Sequence, residues 1–129
     1  MRLLVDTHVL LWAIAEPERI PASIRDRLES SDNEVFFSAA SIWEVAIKQQ
    51  IGRLHLPVTP EDLAKAAVRM GFEELPVTAA HAAGVSRLPL HHRDPFDRLL
   101  VSQAIHEPAR FLTVDQALSL YSDVVEIVS

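Results

Sequence analysis

The fold is decided by residues 3–15, LLVDTHVLLWAIA, where a short apolar run passes directly into a helical pattern. The run of Leu3, Leu4 and Val5 is typical of a strand that is covered on both faces of a sheet. Asp6 then turns the chain into a helix predicted over residues 8–15. A strand followed at once by a helix predicts the first unit of a parallel α/β domain.

The rest of the chain alternates between strand and helix signals in the same way. Ser38 is placed to cap a helix, and Asp94 followed by Pro95 has the order of an N-cap and a first helical residue. This alternation predicts a three-layer α/β sandwich, with a central parallel sheet of four to five strands flanked by helices, in a single domain over residues 1–129. We predict strands over residues 3–5, 35–37, 72–77, 110–114 and 124–128, and helices over residues 8–15, 24–30, 39–50, 60–70, 79–85, 95–106 and 116–121.

Composition limits the possible classes of protein. The 129 residues are 49% hydrophobic, which is enough for one well-buried core. Cysteine is absent, so disulfides and thiolate zinc sites are excluded, and any metal must bind oxygen or imidazole. The longest apolar run, residues 9–15, is far shorter than the roughly 20 residues of a membrane-spanning helix, and we expect a cytoplasmic protein that is neither membrane-bound nor exported. A net charge of −6 argues against a broad basic surface for nucleic acid, although carboxylates that hold cations also make the charge negative.

Four acidic residues fall where a parallel α/β sheet places its ligands. Asp6 follows the first predicted strand and Asp115 the fourth, so both lie at the carboxyl edge of the sheet. Glu44 borders the apolar stripe of helix 39–50 and so does not lie on a fully solvated face. Asp97 is followed at i+3 and i+4 by apolar residues, which points its side chain toward the protein body. Helix N-termini also lie at that edge, and the four carboxylates are therefore predicted to converge. The stripe that we expect helix 39–50 to bury consists of Ile42, Trp43, Ala46 and Ile47.

The convergence of several carboxylates points to bound cations. Without cations the carboxylates would repel one another and raise their own pKa values. Ligation by oxygen alone selects Mg²⁺ or Mn²⁺. Such ions lower the pKa of a bound water and stabilise negative charge on a phosphate. The pattern therefore predicts hydrolysis of phosphodiester bonds.

Each acid also has a purely structural interpretation. Asp6 suits a turn, and Asp97 and Asp115 suit the beginning of a helix. Glu44 has Lys48 at i+4, which is the ordinary spacing of a surface ion pair. These interpretations explain each residue separately, but they do not explain why all four fall on one predicted edge, and we favour a shared site.

Four motifs follow one another along the chain: LLVDTHVLLW at residues 3–12, SAASIWE at 38–44, HRDPFDRLL at 92–100 and LTVD at 112–115. With these motifs the sequence resembles a known family, the PIN-domain ribonucleases, and in particular the VapC-like toxins of type II toxin-antitoxin pairs. The resemblance covers nearly the whole chain, and its specificity comes from the order and context of the four motifs together.

The resemblance implies a PIN-like fold and a Mg²⁺-dependent endoribonuclease, with Mn²⁺ as a possible substitute. It implies that water attacks phosphorus in line and leaves a 5′-phosphate product. It also implies a cognate antitoxin and a homodimer as partners. The metal-binding and catalytic residues that it implies are Asp6, Glu44, Asp97 and Asp115.

Other positions are less well defined by the resemblance. Many PIN domains have asparagine two residues after the first aspartate, where this chain has His8, and the roles of His8 and Asp94 stay open. Thr113 is expected to form hydrogen bonds within the pocket or to contact substrate. Four basic residues near the motifs are candidates for binding RNA phosphates, with solvated surface as the alternative. They are Lys48, Arg53, Arg93 and Arg98, of which Arg98 is the strongest substrate-binding candidate.

A second function class stays open. A PIN-like module that binds protein or RNA without catalysis would share the fold and could share the motifs. Retention of all four acids favours the enzyme, and a titration that detects Mg²⁺ or Mn²⁺ binding separates the two hypotheses.

Overall fold

The centre of the fold is a parallel sheet of five strands in a computed structural model that describes residues 1–90 and 94–128. The strands lie in the order β3-β2-β1-β4-β5, and every neighbouring pair among them is parallel. The first strand is therefore central, and it pairs with one strand on each side. The strands are β1 (Arg2–Val5), β2 (Glu34–Ser38), β3 (Glu73–Leu75), β4 (Arg110–Thr113) and β5 (Val125–Ile127).

Helices connect the strands as the sequence predicts. Side chains cap several of them: the Oδ1 of Asp6 accepts from the backbone N–H of Val9 at 2.7 Å, and the Oγ of Ser38 accepts from Ala40 at 3.0 Å. Short 3₁₀ turns cover Pro17–Arg19, Val85–Arg87 and Gln116–Leu120. Across residues 1–90 and 94–128, no helix is long and apolar enough to cross a membrane. The helices are α1 (Thr7–Ala15), α2 (Ala22–Glu29), α3 (Ala39–Gln50), α4 (Pro60–Arg69), α5 (Ala79–Gly84) and α6 (Pro95–His106).

The central strand is buried on both faces, as its apolar sequence predicts. Leu3 and Val5 point to one side of the sheet, where α1 contributes Val9 to the same core. Leu4 points to the other side and packs in a second core with residues of α6, among them Leu100. All five of these side chains are 0% exposed, and burying each contributes about 1.5–3 kcal/mol. Two apolar layers thus fix β1, and with it the position of Asp6 at the end of the strand.

The buried face of α3 differs from the prediction. Trp43 is 59% exposed, so its expected place in the apolar stripe is wrong. The helix instead buries the face that carries Ser41, Glu44 and Val45. Trp43 packs edge-on against Phe96, with ring centroids 5.2 Å apart. Helix α3 is therefore turned so that a mixed face with Ser41, Glu44 and Val45, rather than its largest aromatic residue, faces the interior.

Candidate active site

A cavity of about 250 Å³ lies at the carboxyl edge of the sheet, where β1 and β4 end. All four acids predicted from the sequence line it, although they come from distant parts of the chain. Two of them follow adjacent parallel strands, and the others are carried by α3 and α6. The described lining consists of Asp6, Thr7, His8, Glu44, Lys48, Asp94, Asp97, Val114 and Asp115.

Asp6 is the most firmly held of these carboxylates. It is 4% exposed, and its Oδ1 accepts the capping hydrogen bond from Val9. Its Oδ2 accepts from the hydroxyl of Thr113 at 2.5 Å and from the backbone N–H of Val114 at 3.2 Å. Burial raises the pKa of Asp6 above its ordinary value, although these hydrogen bonds and the nearby charge of His8 lower it in part. A cation bound beside Asp6 would favour its ionised form.

Thr113 joins the two acids that follow the strands. Its side chain is fully buried, and the hydroxyl that donates to Asp6 also accepts from the backbone N–H of Asp115 at 3.1 Å. Asp115 is partly exposed, and its Oδ1 caps the following 3₁₀ turn by accepting from Ala117 at 3.0 Å. Thr113 therefore bridges two acids that line the cavity. Its role in substrate binding stays a prediction.

Glu44 is buried at 4% exposure and has two side-chain partners. Its Oε1 accepts from the hydroxyl of Thr7 at 2.7 Å, and that hydroxyl also lies 2.9 Å from the Oγ of Ser41. Its Oε2 accepts from the Nζ of Lys48 at 2.5 Å. The i+4 spacing that suggests a surface pair therefore gives a pair whose acidic half lies inside the cavity.

Asp94 and Asp97 contribute from the N-terminus of α6. The Oδ1 of Asp94 caps the helix by accepting from Phe96 at 2.9 Å and from Asp97 at 3.4 Å. Partial burial lowers the pKa of Lys48, but its hydrogen bond to Glu44 and the charges of Glu44, Asp94 and Asp97 outweigh burial and raise the pKa above the usual value. Lys48 is thus an ammonium ion surrounded by carboxylates. Asp94 takes its place in the cavity beside the predicted four.

The predicted basic residues have different surroundings. Arg98 does not line the cavity, because its Nη2 donates to the backbone carbonyls of Val85 and Leu88 at 3.2 and 3.1 Å. These contacts favour a structural role, and its role in substrate binding stays a prediction. Arg53 lines a second depression of about 300 Å³ that shares Glu44 and Lys48 with the first. Arg93 lies outside the described residues.

The donor set fits a hard divalent cation in its chemistry. Five carboxylates line the cavity and no described lining residue offers sulfur, which is the ligand composition that Mg²⁺ and Mn²⁺ prefer. Among residues 1–90 and 94–128, however, no three histidine or acidic side chains are gathered closely enough to hold an ion as they stand. Ligation of one ion by three or more of these carboxylates would therefore require side-chain rotation.

Sequence reasoning missed the role of Thr7 in this site. Its hydroxyl links β1–α1 to α3 through Glu44 and Ser41. The sequence signal for this role is the position of Thr7 directly after Asp6, because a residue that begins a helix at the carboxyl edge of a sheet lies at that edge itself. The sequence predicts Lys48 only as a surface partner of Glu44 or as a phosphate ligand, and it gives no sign that Lys48 lines the cavity.

With this geometry in place, comparison with known proteins identifies the family. Residues 3–123 match the family model described as the PIN domain. The chain belongs to the PIN-domain family, as its motifs predict. It is 32% identical over 121 residues to Ribonuclease VapC22 of Mycobacterium tuberculosis, an alignment that covers 90% of this chain and 88% of that protein.

Solved structures share the fold over nearly its full length. The crystal structure of VapBC2 from Rickettsia felis, bound to a DNA fragment from their promoter, matches with a TM-score of 0.72 and 17% identity over 100% of both chains. FitAcB from Neisseria gonorrhoeae matches with a TM-score of 0.65 and 18% identity, covering 98% of this chain and 96% of that chain. VapBC-5, a toxin-antitoxin member from Mycobacterium tuberculosis, gives a TM-score of 0.56 and 18% identity, covering 98% of this chain and 97% of that chain. The predicted PIN-like α/β fold is thereby confirmed.

Proposed function

We propose that this protein is a Mg²⁺-dependent endoribonuclease that acts as the toxin of a toxin-antitoxin pair. The observation that carries the proposal is the meeting of five carboxylates from separate elements in one cavity at the carboxyl edge of the sheet. Membership of the PIN-domain family and the 32% identity to a named ribonuclease support it. Helix capping explains part of this arrangement, because helix N-termini lie at that edge, but it does not explain Glu44, which comes from the second turn of α3.

The residues that would hold the ion are Asp6, Glu44, Asp97 and Asp115, with Asp94 beside them. When bound, a divalent cation lowers the pKa of water and stabilises negative charge on the phosphate. Mn²⁺ has the same preference for oxygen and is the natural substitute. The ligands lie on four different elements, so ion binding would also tie α3 and α6 to the edge of the sheet.

The chain itself prepares the site in two ways. Three hydrogen bonds from Val9, Thr113 and Val114 fix the carboxylate of Asp6, so little of its freedom remains to be lost when an ion binds. The N-termini of α1 and α6 lie beside the cavity, and the positive ends of their dipoles favour a phosphate there. The neighbouring depression with Arg53 offers a place for a further phosphate of the RNA.

Activity of matched variants tests the proposal. Asp97→Asn and Glu44→Gln each remove a proposed ligand, and we expect cleavage of RNA in Mg²⁺ to fall by at least about a hundredfold. Asp26→Asn is the control, because Asp26 is an exposed acid on α2 that does not line the cavity. Mass spectrometry of the products should find 5′-phosphates. Cleavage that persists in EDTA, or in Asp97→Asn, would refute the proposal.

The proposed partners are RNA as substrate, a small antitoxin, and a second copy of the chain. An acidic cavity suits a basic antitoxin segment by charge, and a solved structure with a similar fold, VapBC-5, is a member of a family of toxin-antitoxin systems. An RNA substrate and an antitoxin would both place the protein in the cytoplasm. A gene for a small DNA-binding protein immediately upstream is the expected genomic sign. Light scattering of the purified chain should give the mass of a dimer.

One observation favours the non-catalytic alternative, a PIN-like module that only binds protein or RNA. In the described parts of the chain, no three potential ligands are gathered, and Glu44 is already paired with Lys48. Calorimetric titration with Mg²⁺ and Mn²⁺ separates the two functions. Binding at millimolar or lower ion concentration supports the nuclease, whereas its absence supports the binding module.

A further inference from the structure

The cavity contains a built-in cation, the ammonium group of Lys48. Of the described residues that line the cavity, only Lys48 carries a permanent positive charge. Its Nζ lies 2.5 Å from the Oε2 of Glu44, and its charge also interacts with Asp94 and Asp97 on α6. One lysine from α3 thus offsets acids on two helices.

Glu44 needs this partner when no ion is bound. Its side chain is 6% exposed, and a carboxylate so buried is strongly destabilising unless it is paired and hydrogen-bonded. Thr7 supplies one neutral hydrogen bond, whereas Lys48 supplies the opposite charge. The side chain of Lys48 itself is 37% exposed, so it can leave Glu44 toward solvent without losing its hydration.

Lys48 and a divalent ion would compete for the same carboxylate. Both Glu44 and Lys48 line the cavity, and a divalent ion bound to Glu44 beside the ammonium on Oε2 would be repelled by that ammonium. The flexible four-carbon stem of lysine allows the ammonium to move away. This movement breaks the partly buried ion pair between Lys48 and Glu44, and the free energy that it costs lowers the affinity of the site for the divalent ion.

We propose that Lys48 is a positioning residue that holds Glu44 in the metal-free protein and competes with the divalent cation for that carboxylate. This inference rests on the proposed metal site. The ion pair of Lys48 with Glu44 stabilises the metal-free site and lowers the affinity of the site for the divalent ion. Lys48 would therefore set the ion concentration at which the site fills.

Calorimetric titration of the metal-free protein with Mn²⁺ alone, at fixed ionic strength, tests the inference. Lys48→Met removes the charge and keeps the length of the stem, and we expect Mn²⁺ to bind about tenfold more tightly than to the wild type. Lys48→Arg keeps a cation and should bind Mn²⁺ within about threefold of the wild type. The matched control is Lys65→Met, an exposed lysine on α4, which should leave Mn²⁺ affinity unchanged.

Thermal unfolding gives a second readout that does not depend on activity. In EDTA, Lys48→Met should unfold at a lower temperature than the wild type, because Glu44 loses its partner. Saturating Mn²⁺ should then raise its unfolding temperature by more than it raises that of the wild type. If Lys48→Met does not fold, Lys48→Gln replaces it, since glutamine still donates a hydrogen bond to Glu44.

The outcomes distinguish this inference from the proposed function. If the wild type does not bind Mn²⁺, the metal site itself is wrong and the inference falls with it. If the wild type binds Mn²⁺ but the neutral variants bind it equally well or more weakly, the metal site stands and competition by Lys48 is refuted. Loss of stability in EDTA without a change in affinity would likewise refute competition and leave a structural ion pair.

Discussion

Replacing Thr113 by valine tests how far the site depends on one buried hydroxyl. The side chain is 0% exposed, and valine has nearly the same shape, so the change removes hydrogen bonds without opening a cavity. Two bonds are lost: the donation to Asp6 at 2.5 Å and the acceptance from the backbone N–H of Asp115 at 3.1 Å. The first involves a carboxylate and the second leaves a backbone donor without its partner.

The expected cost follows from these two contacts. A hydrogen bond to a charged group contributes about 1.5–3 kcal/mol and a neutral one about 1 kcal/mol, so Thr113→Val should lower the free energy of unfolding by roughly 3 kcal/mol. Of the contacts that lower the pKa of Asp6, the Thr113 hydrogen bond is the largest, and its loss should raise that pKa further. Mn²⁺ binding, which requires ionised Asp6, should then need a higher pH.

Urea denaturation in EDTA at pH 7 measures the first effect, and Mn²⁺ titrations between pH 5 and 8 measure the second. Thr113→Ser is the matched control, because it keeps the hydroxyl and loses only a methyl group, at a cost of about 1 kcal/mol. A Thr113→Val protein within about 0.5 kcal/mol of the wild type, with an unshifted pH dependence, would refute the reasoning.

Two further predictions concern the packing behind the site. Gly84→Ala places a Cβ 2.5 Å from both the Cε1 of His106 and the Oγ of Ser102. We expect this overpacking to lower the free energy of unfolding, measured by urea denaturation, by about 1–3 kcal/mol. An unchanged urea midpoint would mean that α5 can shift away from α6. Glu107 pairs with His81 and Arg2, and their hydrogen bonds lower its pKa although burial opposes them. Because the pKa of Glu107 is lower in the folded state, its ionised form stabilises the protein above the unfolded-state pKa, and this stabilisation is lost as the pH falls through the folded-state pKa. Glu107→Gln should therefore destabilise the protein at pH 7, and the variant should lose less stability than the wild type on acidification to pH 3. Equal acid sensitivity of the two proteins in urea midpoints would contradict this.

Much of the fold follows from local signals in the sequence. The bounds of α3 and α6 agree with the prediction because each has a capping residue at its start, Ser38 and Asp94. The strands are recognisable because a sheet buried on both faces requires continuous apolar runs. The edges of β3 were less well predicted, since Phe72 and Val77 are apolar but lie outside its three residues.

The site was only partly predictable, because side-chain contacts between distant elements have no local signal. The positions of Asp6 and Asp115 follow from topology alone, as both come at the ends of adjacent strands. The rotation of α3 does not, because its apolar stripe predicts that Trp43 is buried, whereas Trp43 is exposed and Glu44 is buried. This rotation depends on packing against neighbouring helices such as α1 and α6, which has no signal in the sequence of α3.

The central place of β1 has a consequence for when the site can form. β1 is made before the other four strands, yet it lies between β2 and β4, and its partner residues on β4 come long after it in the sequence. Thr113, which fixes Asp6, follows it by 107 residues. Contacts so distant in sequence form late and slowly. A nascent chain can thus build α1, β2 and α3 while Asp6 still lacks Thr113, and the site reaches its finished geometry only after β4 has been made.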